Sequence, residues 1–214
     1  SVGHPLPGSA EVAVAAWNDA RADFARDADG RLIRARLDEP GMVVARLAER
    51  AASEVAHIDP RRILRDAFEP GDTWFVTDDL MKVDAVGDYW FVDRRVDMIH
   101  TAQGPVASRR IEDALYAYGG VALCVAIGRA EGAHQVPIAA VQLQGAVDLD
   151  ALSAAVAALP EYARPRRLRV VEKLAMTDGF RPLKHGLDVD APDGFDWDPH
   201  AQHYVATRGI KLVG

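Results

Sequence analysis

Residues 73–92 constrain this chain most. Two runs rich in aromatic and β-branched residues, 73–83 (TWFVTDDLMKV) and 88–92 (DYWFV), flank Asp84-Ala85-Val86-Gly87. Aromatic and β-branched side chains suit a pleated surface, and Asp and Gly supply turn conformations, so the stretch predicts an antiparallel hairpin. Upstream, residues 10–17 (AEVAVAAW) alternate with a period near two, and 41–47 (GMVVARL) form a second apolar strand. Asp27-Ala28-Asp29-Gly30 reads as a turn. Asp59-Pro60 predicts a short helix through residue 68, with Asp as N-cap and Pro in the first turn, ended by Pro70-Gly71-Asp72.

After Asp93-Arg94-Arg95 the pattern changes. Residues 108–118 (SRRIEDALYAY) put Ile111, Leu115 and Tyr118 on one helical face, with Ser108 as cap and Glu112 in the first turns. Apolar strands follow at 121–127 and 137–143. A helix at 148–159 then presents Leu149, Leu152, Val156 and Leu159 at helical spacing, and a strand follows at 168–171. The tail after Gly186, rich in Asp and Gly, reads as irregular. The expected fold class is α+β: a β-rich subdomain over 1–95, then a small α+β domain over 96–214, with the boundary near 94–96. One continuous domain is the alternative.

Bulk properties exclude little. The length, 214 residues, allows one large or two small domains, and 49% apolar residues are ample for a core. A formal charge of −7 argues a little against nucleic acid or an anionic membrane as a partner and decides nothing more. Cys124, the single cysteine, rules out an internal disulfide, fits a reducing cytoplasm, and reads as core because it sits mid-strand among Val and Ala. No charged-then-apolar leader opens the sequence, and no apolar run approaches the ~18 residues of a spanning helix. The start at Ser1-Val2-Gly3-His4-Pro5 suggests a piece of something longer. His200 and His203 have the spacing of paired metal ligands but lack a third partner, so no metal site is expected. The basic run 164–169 (RPRRLR) reads either as an attractor of phosphate groups or as a guarded strand edge.

Five stretches go further. Residues 75–80 (FVTDDL), 89–94 (YWFVDR), 106–115 (VASRRIEDAL) and 159–187 (LPEYARPRRLRVVEKLAMTDGFRPLKHGL) occur in this order, preceded by 2–10 (VGHPLPGSA). Together they resemble the C-terminal part of AMP-forming acyl-CoA synthetases, members of the adenylate-forming enzymes. The resemblance covers nearly the whole chain. Phe180 and the tail residues Asp198, Tyr204, Gly209, Ile210, Lys211 and Leu212 look most like the fatty-acid transport protein and very-long-chain branch.

The resemblance implies a chemistry and assigns residues to it. Members join a carboxylate to the α-phosphate of ATP, release pyrophosphate, and pass the acyl group to coenzyme A, with Mg accompanying ATP. The motif match assigns nucleotide binding to Thr77, Asp79 and Arg94, because an ionised carboxylate accepts hydrogen bonds from both ribose hydroxyls. It makes Val96 the hinge of a mobile C-terminal lid and puts Gln103 and Gly104 on the path of coenzyme A. Arg181 falls at the family's catalytic lysine, with Lys184 as a second basic position that reads more simply as solvated.

Several positions depart from the pattern. Asp78 stands for the Gly of Thr-Gly-Asp-Leu and adds a carboxylate near the ATP phosphates. Gln103 stands for the tunnel glycine, and Arg181 offers a planar fork where lysine is a compact point charge. No phosphate loop or acyl pocket is present, so the fragment is expected to hold no cofactor firmly and to be inactive alone. The first functional reading is the C-terminal part of a fatty-acid–CoA ligase. Its partners are an N-terminal adenylation domain of the same parent chain, fatty acid and coenzyme A, in a cytoplasmic setting that allows peripheral membrane contact. The alternative is a non-catalytic module, derived from such a ligase, that binds nucleotide or acyl-adenylate or makes protein contacts. A third reading passes the acyl group to a carrier protein.

Overall fold

A computed structural model describes residues 1–18, 21–48, 51, 59–178, 181–184, 186–187 and 193–207. The motif residues Gly179, Phe180 and Gly209 to Leu212 lie outside these. The chain divides into two compact units, Ser1–Val96 and Asp97–Gly214.

In the first unit, six strands form a sheet: β1 (Val12–Asn18), β2 (Asp23–Phe24), β3 (Gly41–Arg46), β4 (Ile63–Arg65), β5 (Thr73–Val83) and β6 (Tyr89–Arg94). The order is β2-β1-β3-β5-β4, with β6 also paired to β5, and every pairing is antiparallel. Alternation shows in β5, where Trp74 and Val76 are buried between less buried neighbours, while the central strand β3 buries Met42, Val43 and Val44 on both faces. The predicted hairpin forms around Asp84, whose carboxylate accepts from the amides of Val86 and Asp88 and from the Trp90 indole. Val2 and Gly3 pair with Tyr89, so the opening residues extend the sheet along β6.

The expected helix over 60–68 is not there. Asp59 does cap Pro60–Arg62, accepting from the Arg61 amide, but only one 3-10 turn follows before the chain enters β4. Pairing of Leu64 with Trp74 overrides the local helix signal. Residues 66–72 then form a turn around the buried Asp72, which is 3% exposed. Its carboxylate accepts from the amides of Ala67, Phe68 and Glu69 at 2.6, 3.0 and 3.1 Å, and from the Trp74 indole at 2.7 Å.

The second unit opens with a small hairpin, β7 (Ile99–Thr101) and β8 (Gly104–Val106), followed by α1 (Ser108–Ala117). Next come β9 (Val121–Glu131), β10 (His134–Leu143), α2 (Leu149–Ala157), β11 (Arg167–Val170), β12 (Gly194–Asp198) and β13 (His203–Ala206). The sheet order is β13-β12-β11-β10-β9. Only the β10–β11 pairing is parallel, and α2 makes the crossover that such a pair requires. Ile111 and Leu115 of α1 and Leu152 and Val156 of α2 pack on one sheet face with Cys124, Ala139, Val141, Leu168, Phe195 and Tyr204. On alternate residues, Val125 and Ala140 pack with Leu174, Val171 and Leu187. Burial pushes the Cys124 thiol up to about 12, as expected of a core cysteine that stays protonated.

Two further expectations fail. Ala107 occupies the N-cap of α1, and the Ser108 hydroxyl accepts from Lys184 instead of capping the helix. The tail is not irregular throughout: residues 194–206 add two antiparallel strands to the sheet edge. Phe195 and Tyr204 are fully buried there, and Asp198 caps the connecting turn through the amides of His200 and Ala201. Gly194 permits this, because a side chain there would meet the Leu168 carbonyl oxygen at 2.2 Å.

Candidate functional site

Thr77, Asp78 and Asp79 form a bulge in β5. Val44 pairs with Val76 and Met42 with Leu80, so Val43 alone faces the three of them. Bulges re-aim side chains, and this one sits where the end of β6 brings Arg94 opposite Asp79. Thr77 braces it: its hydroxyl donates to the Val43 carbonyl at 2.9 Å and accepts from the Asp79 amide at 3.2 Å. Across the hairpin Asp79 pairs with Arg94, Nε to Oδ1 at 3.7 Å. The two side chains are 36% and 52% exposed. An ion pair so long and so exposed is weak, under about 1 kcal/mol, and opens readily to a ligand that offers hydroxyls to the carboxylate.

Asp78 does not point a free charge at this pair. It takes a left-handed φ of +68°, a conformation that suits the glycine for which it stands and that Asp tolerates. Its carboxylate meets Arg95 Nε at 2.9 Å and Arg62 Nη2 at 3.4 Å. Arg62 is itself held, donating to the Val76 carbonyl and lying 4.4 Å over the Phe75 ring. Sequence reasoning missed both arginines; a carboxylate at a glycine position beside Arg95 was the available signal. Val96 ends the first unit within the turn Arg95–Asp97 and is 66% exposed.

In the second unit, Ala102 and Gln103 tip the β7–β8 hairpin. Thr101 fixes the turn, its hydroxyl donating to the Gly104 carbonyl and accepting from the Gln103 amide. Gly104 has φ +128°, which an L side chain rarely adopts. Beside the tip opens a cleft of about 810 Å³, lined by Gln103, Tyr162, Arg164, Arg166 and Trp197 among others. The basic run on its wall is engaged in the fold. Arg166 pairs with Glu131 at 2.9 Å, Arg167 with Asp196 at 2.6 Å, and Arg164 donates to the carbonyls of Leu159 and Ala157.

Arg181 lies on a tight reversal. The Thr177 amide donates to the Arg181 carbonyl at 2.8 Å, Met176 bridges Pro182, and the Thr177 hydroxyl accepts from the Arg181 amide. The Arg181 side chain is exposed. Lys184, read from sequence as solvated, is not: it is 17% exposed, and its Nζ lies 3.0 Å from Glu112 Oε1 and 3.6 Å from Asp97 Oδ2. The structure thus gathers Thr77, Asp79 and Arg94 in one unit and places Gln103, Gly104, Arg181 and Lys184 in the other. His203, the second of the paired histidines, bonds Asp150. Among the described residues no three His, Cys, Asp or Glu side chains cluster as metal ligands, and no helix is long and apolar enough to cross a membrane.

Comparison with known proteins gives these geometries a context. Residues 110–180 match the AMP-binding enzyme C-terminal domain. The chain is 34% identical over 191 residues to the medium/long-chain-fatty-acid–CoA ligase FadD6 of Mycobacterium tuberculosis, covering 79% of this chain and 31% of the ligase. It is 31% identical over 180 residues to human long-chain fatty acid transport protein 3, covering 80% of this chain and 26% of that protein. Among solved structures, O-succinylbenzoate coenzyme A synthetase of Bacillus subtilis, bound to AMP, superposes with TM-score 0.61 at 22% identity, over 87% of this chain and 34% of the synthetase. The amide bond synthetase McbA of Marinactinospora thermotolerans does so with TM-score 0.62 at 25% identity, over 86% and 35%. The chain therefore spans about a quarter to a third of the length of the relatives it matches.

Proposed function

We propose, for a chain that includes the C-terminal domain of the AMP-binding enzymes, that it is the C-terminal part of a fatty-acid–CoA ligase. In the reaction assigned to the whole enzyme, a fatty-acid carboxylate attacks the α-phosphorus of ATP. An acyl-adenylate forms and pyrophosphate leaves. The thiol of coenzyme A, giving up its proton, then attacks the acyl carbonyl, and AMP leaves. The residues up to about 95 are the end of the large adenylation domain, and those from 96 on are its lid, which turns about Val96 between the two steps.

The observation that carries this reading is the Asp79–Arg94 pair at the bulge of β5. An exposed carboxylate beside a loosely held guanidinium matches the vicinal hydroxyls of a ribose: the carboxylate accepts both and the guanidinium donates to a remaining oxygen. Thr77 sets the height of Asp79 through its amide. The cleft lined in part by Gln103 has the size to pass the arm of coenzyme A. A magnesium ion accompanying ATP would be held by the phosphates and by residues beyond those described. We place the whole enzyme in the cytoplasm, in contact with a membrane surface where its fatty acid is delivered.

Replacing Asp79 by alanine in the full-length protein should weaken AMP binding by about 1–3 kcal/mol, roughly 5- to 150-fold in Kd. Isothermal calorimetry with AMP reads this directly, and equal affinities would mean that the ribose is held elsewhere. A second reading, a module that holds nucleotide or acyl-adenylate without completing the reaction, is favoured by Gln103 and by Arg181. AMP binding with no pyrophosphate exchange separates it from the first.

A further inference from the structure

We infer that Lys184 is a positioning residue, which fixes the reversal bearing Arg181 to the first residues past the hinge. The inference rests on the ligase reading for its catalytic consequence, but the geometry stands apart from it. Lys184 Nζ has three partners from two other segments: Glu112 Oε1 at 3.0 Å, Asp97 Oδ2 at 3.6 Å, and the Ser108 hydroxyl. Ser108 is fully buried, and the side chains of Glu112 and Asp97 are 17% and 20% exposed. The ammonium donates to the Ser108 hydroxyl, lies within hydrogen-bond reach of Glu112 and holds Asp97 as a longer ion pair. Glu112 is oriented for the task because it also accepts from the Ala126 amide of β9 at 3.0 Å.

What this junction holds is specific. Asp97 is the first residue of the second unit, next to Val96. Lys184 follows Arg181 by three residues, and between them the Leu183 amide donates to the Ala175 carbonyl at 2.8 Å. Other ties of this reversal among the described residues are the Met176–Pro182 bridge, the Thr177–Arg181 pair, the Leu174 amide on Gln142 Oε1 at 3.4 Å and the apolar packing of Leu174 and Leu187. Lys184 therefore clamps the outgoing strand of the reversal to α1 (Ser108–Ala117) and to the hinge end. When the lid turns, Arg181 moves with it as one rigid piece instead of trailing on a loose loop. Proximity effects make such placement worth a large factor in rate, since small displacements of a reacting group are costly.

The test has two arms. In the 214-residue chain, amide hydrogen exchange is followed by NMR for Lys184→Met, Lys184→Arg and the double variant Lys184→Met with Glu112→Gln. The double variant removes one of the carboxylates left uncompensated, so it carries the test should the single variant fail to fold. Expected is an acceleration of about tenfold or more at Leu183 and Thr177 in the Met variants, with the β9–β10 ladder unchanged and Lys184→Arg close to the unmodified chain. Unchanged exchange at Leu183 and Thr177, or equal acceleration everywhere in the double variant, would overturn the inference. In the full-length protein, Lys184→Met should lower kcat for pyrophosphate exchange about tenfold with the KM for ATP unchanged. A raised KM at constant kcat would count against positioning. Silence of the unmodified full-length protein would instead sink the ligase reading, and the exchange arm would still decide the role of Lys184.

Discussion

Replacing Arg181 by lysine in the full-length protein should raise fatty-acid-dependent pyrophosphate exchange by about 10²-fold. Arg181 sits on an exposed, hydrogen-bonded reversal, and the sequence resemblance proposes it for the position of the family's lysine. In adenylation, negative charge grows on the α-phosphate and on the attacking carboxylate together. A lysine ammonium meets both as one compact charge, whereas guanidinium is a planar fork that holds a phosphate well without sitting between the two oxygens. Binding of ATP should therefore change little and the rate should change much, since one misplaced preorganised donor typically costs about 10²–10³ in rate. Asp78 is no obstacle to this gain, because Arg62 and Arg95 already neutralise it. If an Arg181→Ala enzyme ran as fast as the unmodified one, the residue would have no catalytic role.

The largest stability effect is expected at Asp72. Its carboxylate is 3% exposed and accepts from three backbone amides and the Trp74 indole, which itself is 1% exposed. Alanine there leaves four donors without their acceptor, two of them on the buried residues Ala67 and Trp74. The cost should be about 3–5 kcal/mol, appearing as a lowered urea midpoint for the first unit. A loss below about 1 kcal/mol would show that water replaces the carboxylate freely. The pH dependence has a definite sign. Burial raises the Asp72 pKa, but the indole and the three amides outweigh it and hold the group below its ordinary 3.8. A depressed carboxylate adds stability above its unfolded pKa, and that stability is lost as pH falls through the folded value. The unmodified chain should thus lose stability steeply below about pH 4, and Asp72→Ala should flatten that limb.

Much of this was legible where local chemistry and tertiary packing agree. The run 73–94 carries aromatic and β-branched residues on both sides of the turn from Asp84 to Gly87, and it forms the hairpin that seats Asp79 opposite Arg94. The helical faces of Ile111 with Leu115, and of Leu152 with Val156, were readable for the same reason. Where the two disagree, sequence misled. Asp59-Pro60 is a sound helix start, yet Leu64 gains more by pairing beside Trp74, and the helix ends after one turn. Asp and Gly around 186–194 suggested irregular chain and hid the short alternation of Phe195, Trp197 and Tyr204 that closes the sheet. The partners of Lys184 had no local signal: Ser108 lies 76 residues away along the chain, and only folding brings the two together. Asp78 looked like added charge because Arg62 and Arg95 come from separate turns.

The measurement that most directly tests the proposal is ATP–pyrophosphate exchange with a panel of fatty acids, run on the full-length protein and on the 214-residue chain alone. Fatty-acid-dependent exchange is expected from the full-length protein, slow but rising in the Arg181→Lys variant, and none from the 214-residue chain. That chain carries the Asp79–Arg94 pair and the Arg181 reversal, while no acyl pocket or phosphate loop is found in its sequence. Brisk exchange or ligation by the 214 residues themselves would contradict it, because the chemistry would then need nothing from an adenylation domain.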